Sequence, residues 1–202
     1  MHGRALPGAI AGILLLCAEL TEAATNPTRL FDGKTLEGWK VDDRARGRVA
    51  VEKGCIYMMM AKGKLSRIEW REDFPRTNYE VTLEVLWVDG SHDFCRIVFP
   101  VGSDHSRFGM QHSLLGLQLS DGPDIYENTT KQRVKFKQKA WYKVRLRVTD
   151  DHVQVWINGK STVRVPREHY QFGRKGQEPF ALAAWETGVA YRSIVLTRLD
   201  AK

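Results

Sequence analysis

Cysteine is scarce in this 202-residue chain, which holds only Cys17, Cys55 and Cys95. None lies in a Cys-x-x-Cys pair, so the sequence carries neither that kind of metal or redox site nor a disulfide framework. Long apolar runs are missing as well. The one candidate, "ALPGAIAGILLLCA" (5–18), is too short to span a bilayer. It follows Arg4 and precedes the small-residue segment "ELTEAAT", the layout of a secretory signal peptide with cleavage after Ala23 or Ala24. Residues 1–24 are therefore expected to be removed, and residues 25–202 to form one domain of a secreted or periplasmic protein with no membrane span. Its Cys55 and Cys95 either pair or remain as two buried thiols.

Helical periodicity is also lacking: no segment carries a long amphipathic helix, and there is no repeat, linker or low-complexity stretch. What is present is short alternation. "YEVTLEVLWV" (79–88) sends Val81, Leu83 and Val85 one way and Glu80, Thr82 and Glu84 the other. "FCRIVFPV" (94–101) groups Cys95, Ile97, Phe99 and Val101 against Phe94, Arg96 and Val98. "WYKVRLRVT" (141–149) puts Val144, Leu146 and Val148 inward, and Lys143, Arg145 and Arg147 outward. "HVQVWIN" (152–158), "FALAAWE" (180–186) and "YRSIVLTRL" (191–199) complete the set, with hairpin turns at Asp150-Asp151 and Asn158-Gly159. Short strands at this spacing predict an all-β sandwich of two antiparallel sheets.

Several apparent motifs reduce to ordinary structure. "NGKS" (158–161) ends like a phosphate-binding loop, but its first glycine position holds Gln154 and its context is strand–turn–strand. The residues of "SHD" (91–93) point to alternate sides of an extended chain and cannot form a relay among themselves, though one of them can reach a site from a loop. "DGPDIYEN" (121–128) lacks the dense oxygen ligands of a calcium loop and reads as a turn, so no metal is assigned. Asn128-Thr129-Thr130 is a glycosylation sequon. Glu80 and Glu84 share a strand face but stand about 13 Å apart, beyond the roughly 5–10 Å of a glycosidase pair.

The charge is lopsided. The full chain carries +7, and removing the leader with Arg4, Glu19 and Glu22 raises that to +8. "KQRVKFKQK" (131–139) sets five cations at a period of two. With Lys143, Arg145 and Arg147 they suggest a basic sheet surface or edge, which would guard an edge strand or receive an anionic polymer. Interleaved aromatics are nearly absent, which argues against nucleic acid.

The stretch "LFDGKTLEGWK" (30–40) places Leu30, Phe31, Leu36 and Trp39 among glycine turns and pins a first strand to the core. It also resembles a family signature, Leu-Phe-(Asp/Asn)-Gly-Lys-x-Leu-x-Gly-Trp. "NYEVTLEVLWVDGS", "WYKVRLRVTDDHVQVWINGK" and "YRSIVLTRL" are similar to that family's later blocks, in order. The family is the 3-keto-disaccharide hydrolase, or 3-keto-glucoside lyase/hydratase, domain. The middle of the chain resembles a variant common in exported planctomycete proteins. The resemblance covers about residues 29–199 and implies a concanavalin A-like jelly roll.

It also implies a chemistry. A ketone at C3 acidifies the C2 proton, so a base removes it while the C1 substituent leaves, and water adds to the enone. Glu69, Arg96, Gln118 and Trp156 stand at strand positions whose parity is opposite the core, and Trp185 and Glu186 close the set from a late strand. For that chemistry Arg96 is the candidate for the keto oxygen, and Glu69 or Glu186 for the base. Trp185 would stack on a sugar, and Gln118, Asp121 and Trp156 would help bind it. Gln118 and Asp121 match the family's Glu-x-Gln-x-x-Asp pattern, although the leading Glu is Gly116 here. The "GSHDFCRIVF" block also departs from the family's Asn-Ser-Gly…Arg form. The expected partner is a saccharide substrate or glycan. The alternatives are a non-catalytic carbohydrate-binding module and a basic module for anionic polymer.

Overall fold

The computed structural model describes residues 27–42, 47–119, 124–167 and 178–200. Strands are numbered β1–β15 along the chain, and the described residues contain no helix. The first sheet runs from β13 (Lys160–Pro166) through β12 (His152–Ile157), β11 (Trp141–Val148), β6 (Tyr79–Gly90), β15 (Thr187–Arg198) and β4 (Cys55–Met58) to β3 (Val49–Glu52). A short β1 (Thr28–Arg29) also pairs with β15. The second sheet runs from β10 (Gln132–Arg133) through β9 (Leu114–Leu117), β8 (Asp104–Met110), β7 (Cys95–Val101), β14 (Ala181–Trp185) and β5 (Leu65–Trp70) to β2 (Trp39–Val41). Every pairing is antiparallel. The two sheets form the expected jelly-roll sandwich.

Alternation builds the core between them. Tyr79, Val81, Leu83, Val85 and Trp87 of β6 are all buried, as are Val144, Leu146 and Val148 of β11. They face Ile97 and Phe99 of β7, Phe108 and Met110 of β8, and Leu182 of β14 in one cluster. The turns follow the chemistry of their residues, with Asn158 (φ 51°) and Gly159 (φ 81°) joining β12 to β13. Trp39 is buried, its indole N–H bonding Leu30 O at 2.5 Å and its ring edge-on to Trp70 at 5.3 Å.

One expectation needs correction, and two are refined. Phe94 does not share the outward side of Arg96; it precedes β7, turns inward and stacks on Trp87 at 5.2 Å. The basic run and the basic strand belong to different sheets: Gln132 and Arg133 form the β10 edge of the second sheet, whereas Lys143, Arg145 and Arg147 stand on β11 of the first, and Phe136 is buried between them along the chain. Cys55 and Cys95 do not pair; both thiols are free and buried, one on each sheet. Burial pushes Cys95 up to about 12.

Chain crossings between the sheets set up the site. The links β4–β5, β6–β7 and β14–β15 each pass from the first sheet to the second or back. They are tied at one end: Glu186 N–H donates to Lys64 O (3.2 Å), Trp185 N–H to Asp93 O (3.1 Å) and His92 N–H to Thr187 Oγ1 (3.1 Å). The β14–β15 link is a single residue, Glu186, which turns the chain in the left-handed region at φ 46°.

Candidate functional site

Strand register identifies which side chains share the outer face of the second sheet. Ala183 is opposite Arg67 on β5 and Arg96 on β7, and Arg96 is opposite Gly109, which is opposite Gly116. The next row runs Lys40, Glu69, Ala181, Val98 and Arg107, with Gln118 alongside through its N–H to Arg107 O at 2.7 Å. These residues alternate with Ile68, Ile97, Phe108 and Leu182, which face the core. Small residues in the middle strand leave room for large charged ones on each side. At about 4.8 Å per strand, Arg67 and Arg96 flank Ala183 about 10 Å apart.

Buried charge fills one half of this face. The Arg67 side chain, 8% exposed, meets Glu178 Oε2 at 2.9 Å, Glu69 Oε1 at 3.1 Å and Asp42 Oδ2 at 3.4 Å. Arg107 Nη2 and His105 Nε2 approach the other Glu178 oxygen at 3.2 and 3.3 Å. Burial alone would raise the Glu178 carboxyl. The hydrogen bond and charge of Arg67, with Arg107 and His105 behind them, outweigh it and hold the group below its ordinary value. Glu69 is gripped on its second oxygen by Arg71 at 3.5 Å.

Arg96 anchors the other half. Its guanidinium pairs with Asp93 Oδ2, while Tyr126 O–H donates to Asp93 Oδ1 at 2.8 Å. Asp93 is 1% exposed. Burial, reinforced by the Asp93 charge, pushes Tyr126 far up, so it stays a phenol and a donor. Arg96 Nε and Gln118 Oε1 are buried without a hydrogen bond. Polar atoms left in that state cost free energy, which a ligand's polar groups would recover.

The segment after Asp124 is laid over this half. Asn128 Nδ2 donates to Leu117 O (2.8 Å), Asp124 O (3.0 Å) and Ile125 O (3.3 Å), and its Oδ1 accepts from Thr130 N–H. The sequon asparagine is thus spent on folding the loop. A Cβ on Gly116 would meet Ile125 O at 2.1 Å, and one on Gly109 would meet Tyr126 Oη at 2.5 Å. Gly116 is a glycine because backbone occupies the place where a glutamate side chain would stand.

At the rim, Trp185 is 38% exposed. Beside it Glu186 Oε2 pairs with His92 Nε2 at 3.1 Å, and Glu186 Oε1 accepts the Gly63 N–H.

The structure therefore brings Glu69, Arg96, Gln118 and Trp185 onto one face, with Glu186 at its rim. It separates Trp156, which lies on the outer face of the first sheet under Arg145 at 3.8 Å. The parity used to pick it was right for a non-core position but belongs to the wrong sheet. Asp121 lies outside the described residues. Sequence reading passed over Tyr126, His105, Arg107 and Glu178, and named Asp93 only as one of three residues able to reach a site from a loop. Tyr126 stood in a stretch set aside as a turn, and Glu178 follows no periodic pattern at all.

The profile of the 3-keto-alpha-glucoside-1,2-lyase-like domain matches residues 26–197. The chain belongs to this family. The lyase-like domain is carbohydrate-active, and its solved structural relatives share the fold. One, from Parabacteroides distasonis and provisionally classed as a glycosyl hydrolase, is 15% identical with a TM-score of 0.59, covering 86% of this chain and 94% of that one. The carbohydrate-binding module CBM66 from Bacillus subtilis is 11% identical (TM-score 0.55; 78% and 93% covered). The Crh5 transglycosylase is 15% identical (TM-score 0.63; 88% and 85% covered). No curated protein matches the lyase-like chain in sequence.

Proposed function

We propose that this protein cleaves 3-keto-glycosides by elimination of the C1 substituent and hydration of the enone, on the outer face of its second sheet. The observation that carries this reading is Arg96. Its guanidinium is fixed by a buried Asp93 and keeps an unbonded, buried Nε on the side-chain face of a family domain whose substrates carry a keto group. An enolate forming at C2–C3 puts negative charge on the keto oxygen, and an oriented guanidinium stabilises it there. Glu69 and Glu178 have their carboxylate oxygens engaged by arginines. Glu186 meets His92 and Gly63 instead, which supports a base at the rim. Trp185 offers an exposed ring for a sugar face. We place this action outside the cytoplasm, from the signal-like pattern of residues 1–24.

Gly116 favours a second reading, a carbohydrate-binding domain without catalysis. The space of the family's leading glutamate is filled by Ile125 O, so no acid group stands there. Incubating the purified protein with a 3-keto-disaccharide separates the two. The enzyme reading expects loss of the disaccharide with release of keto sugar, and a drop of about 100-fold or more in Arg96→Ala. Saturable binding of unoxidised glycans with no turnover would leave only the binding reading.

A further inference from the structure

Resting on that elimination reading, we infer that His92 is the base that removes the C2 proton, and that Glu186 positions it. Three crossings between the sheets converge on this imidazole. Its Nε2 is 3.1 Å from Glu186 Oε2, and the other carboxylate oxygen is occupied by the Gly63 N–H. Its own main-chain N–H bonds Thr187 Oγ1, whose hydroxyl donates to Trp185 O at 2.9 Å. The residue is thus held at its main chain and at Nε2, while half its side chain stays open to solvent. A carboxylate at Nε2 accepts an N–H there, which leaves the lone pair on Nδ1 as the basic atom.

Consecutive residues deliver both halves of the chemistry. Asp93 turns inward to fix Arg96, and His92 turns outward to Glu186. Glu186 adopts φ 46°, where a residue with a side chain is strained, and its carbonyl packs where Gly90 has no Cβ. An ordinary surface ion pair contributes under about 1 kcal/mol and needs no such backbone.

In the step itself, Nδ1 takes the C2 proton and the C–H electron pair moves into an enolate across C2, C3 and the keto oxygen; the pair then returns as the C1=C2 bond conjugated to the C3 ketone. The C1–O bond breaks, its pair leaves on the departing oxygen, and that oxygen takes a proton from water. The hydroxide left behind recovers the proton from His92. A water then adds across the enone, so one water is consumed overall.

The test is exchange of the C2 hydrogen of a methyl 3-keto-glucoside in D2O, followed by NMR. Methoxide leaves slowly, so proton removal is read apart from elimination. Wild type is expected to exchange well above buffer. His92→Gln and His92→Ala should lose about 100-fold or more, with added imidazole restoring part of the rate in His92→Ala. Glu186→Gln should lower the exchange rate about tenfold with an unchanged KM. Exchange that survives in both His92 variants overturns the assignment and leaves the elimination reading standing, as does turnover of a 3-keto-disaccharide by wild type without exchange. Neither exchange nor turnover by wild type overturns both.

Discussion

Glu178 shows how one side chain can be both well placed and invisible in sequence. It comes from the segment just before β14, yet its carboxylate links Arg67 on β5 with Arg107 and His105 on β8, across two intervening strands. Replacing it with Gln removes charge-assisted bonds from two guanidiniums, and the expected loss at neutral pH is about 1.5–3 kcal/mol. The sign of its pH dependence follows from its depressed folded-state value. The contribution is present above the ordinary glutamate value of about 4.3 and is lost as pH falls below it toward the lower folded-state value. Chemical denaturation of both proteins between pH 7 and 3 should show wild type and Glu178→Gln converging in the acid range. A gap that stays constant or widens on acidification would mean that the carboxylate is not held ionised by its neighbours.

At the scale of an element, the 124–130 segment decides what kind of site this face can be. Its Asn128 and Thr130 tie it to Leu117, and Ile125 and Tyr126 press onto the glycines of β8 and β9. Putting the family's glutamate back, as Gly116→Glu, is therefore expected to damage the protein instead of restoring an acid group. The new side chain meets a backbone carbonyl that cannot rotate away, and overpacking of this kind costs about 1–3 kcal/mol. Lifting the segment also withdraws Tyr126 from Asp93. Thermal melting and limited proteolysis of the variant report on both effects, and a melting temperature equal to wild type would show that the segment does not need its glycine floor. Sequence could show that Gly116 departs from the pattern but not why. The reason is a contact between residues nine apart that passes over a strand, and no periodicity encodes that. Strand faces were more legible: Arg96, Gln118 and Glu69 were picked from outward parity, and the structure does place them on one outer face. Parity says only inward or outward, however, and not which of two sheets, so it selected Trp156 by the same rule.

Across the whole molecule, the two sheets are joined by more than their apolar interior. Leu30 N–H bonds Ile194 O of the first sheet, and Leu30 O accepts from the Trp39 indole of the second at 2.5 Å. The same indole packs on Trp70 and Phe180. The glycine turns around it, with Gly33 at φ 84° and Gly38 at φ 76°, let the chain pass from one sheet to the other within ten residues. Gly38 also has Trp70 where a side chain would go, so both tryptophans depend on that turn. The stretch was legible as a core anchor because its apolar residues stand among turn residues; its role as a clasp was not, since that requires knowing that its two ends belong to different sheets. Trp39→Ala removes a ring that is 7% exposed and opens a cavity between Trp70 and Phe180, at an expected cost of about 3–5 kcal/mol. Trp39→Phe keeps much of the volume but loses the N–H to Leu30 O, so it should fall between Ala and wild type by about 1 kcal/mol beyond its packing loss. Guanidinium denaturation monitored by both tryptophan fluorescence and far-UV circular dichroism measures each value. For a clasp that couples the sheets, the two probes must shift together to lower denaturant. If the fluorescence midpoint falls while the dichroism midpoint stays in place, Trp39 anchors only its own strand and the sheets are held together by the core alone.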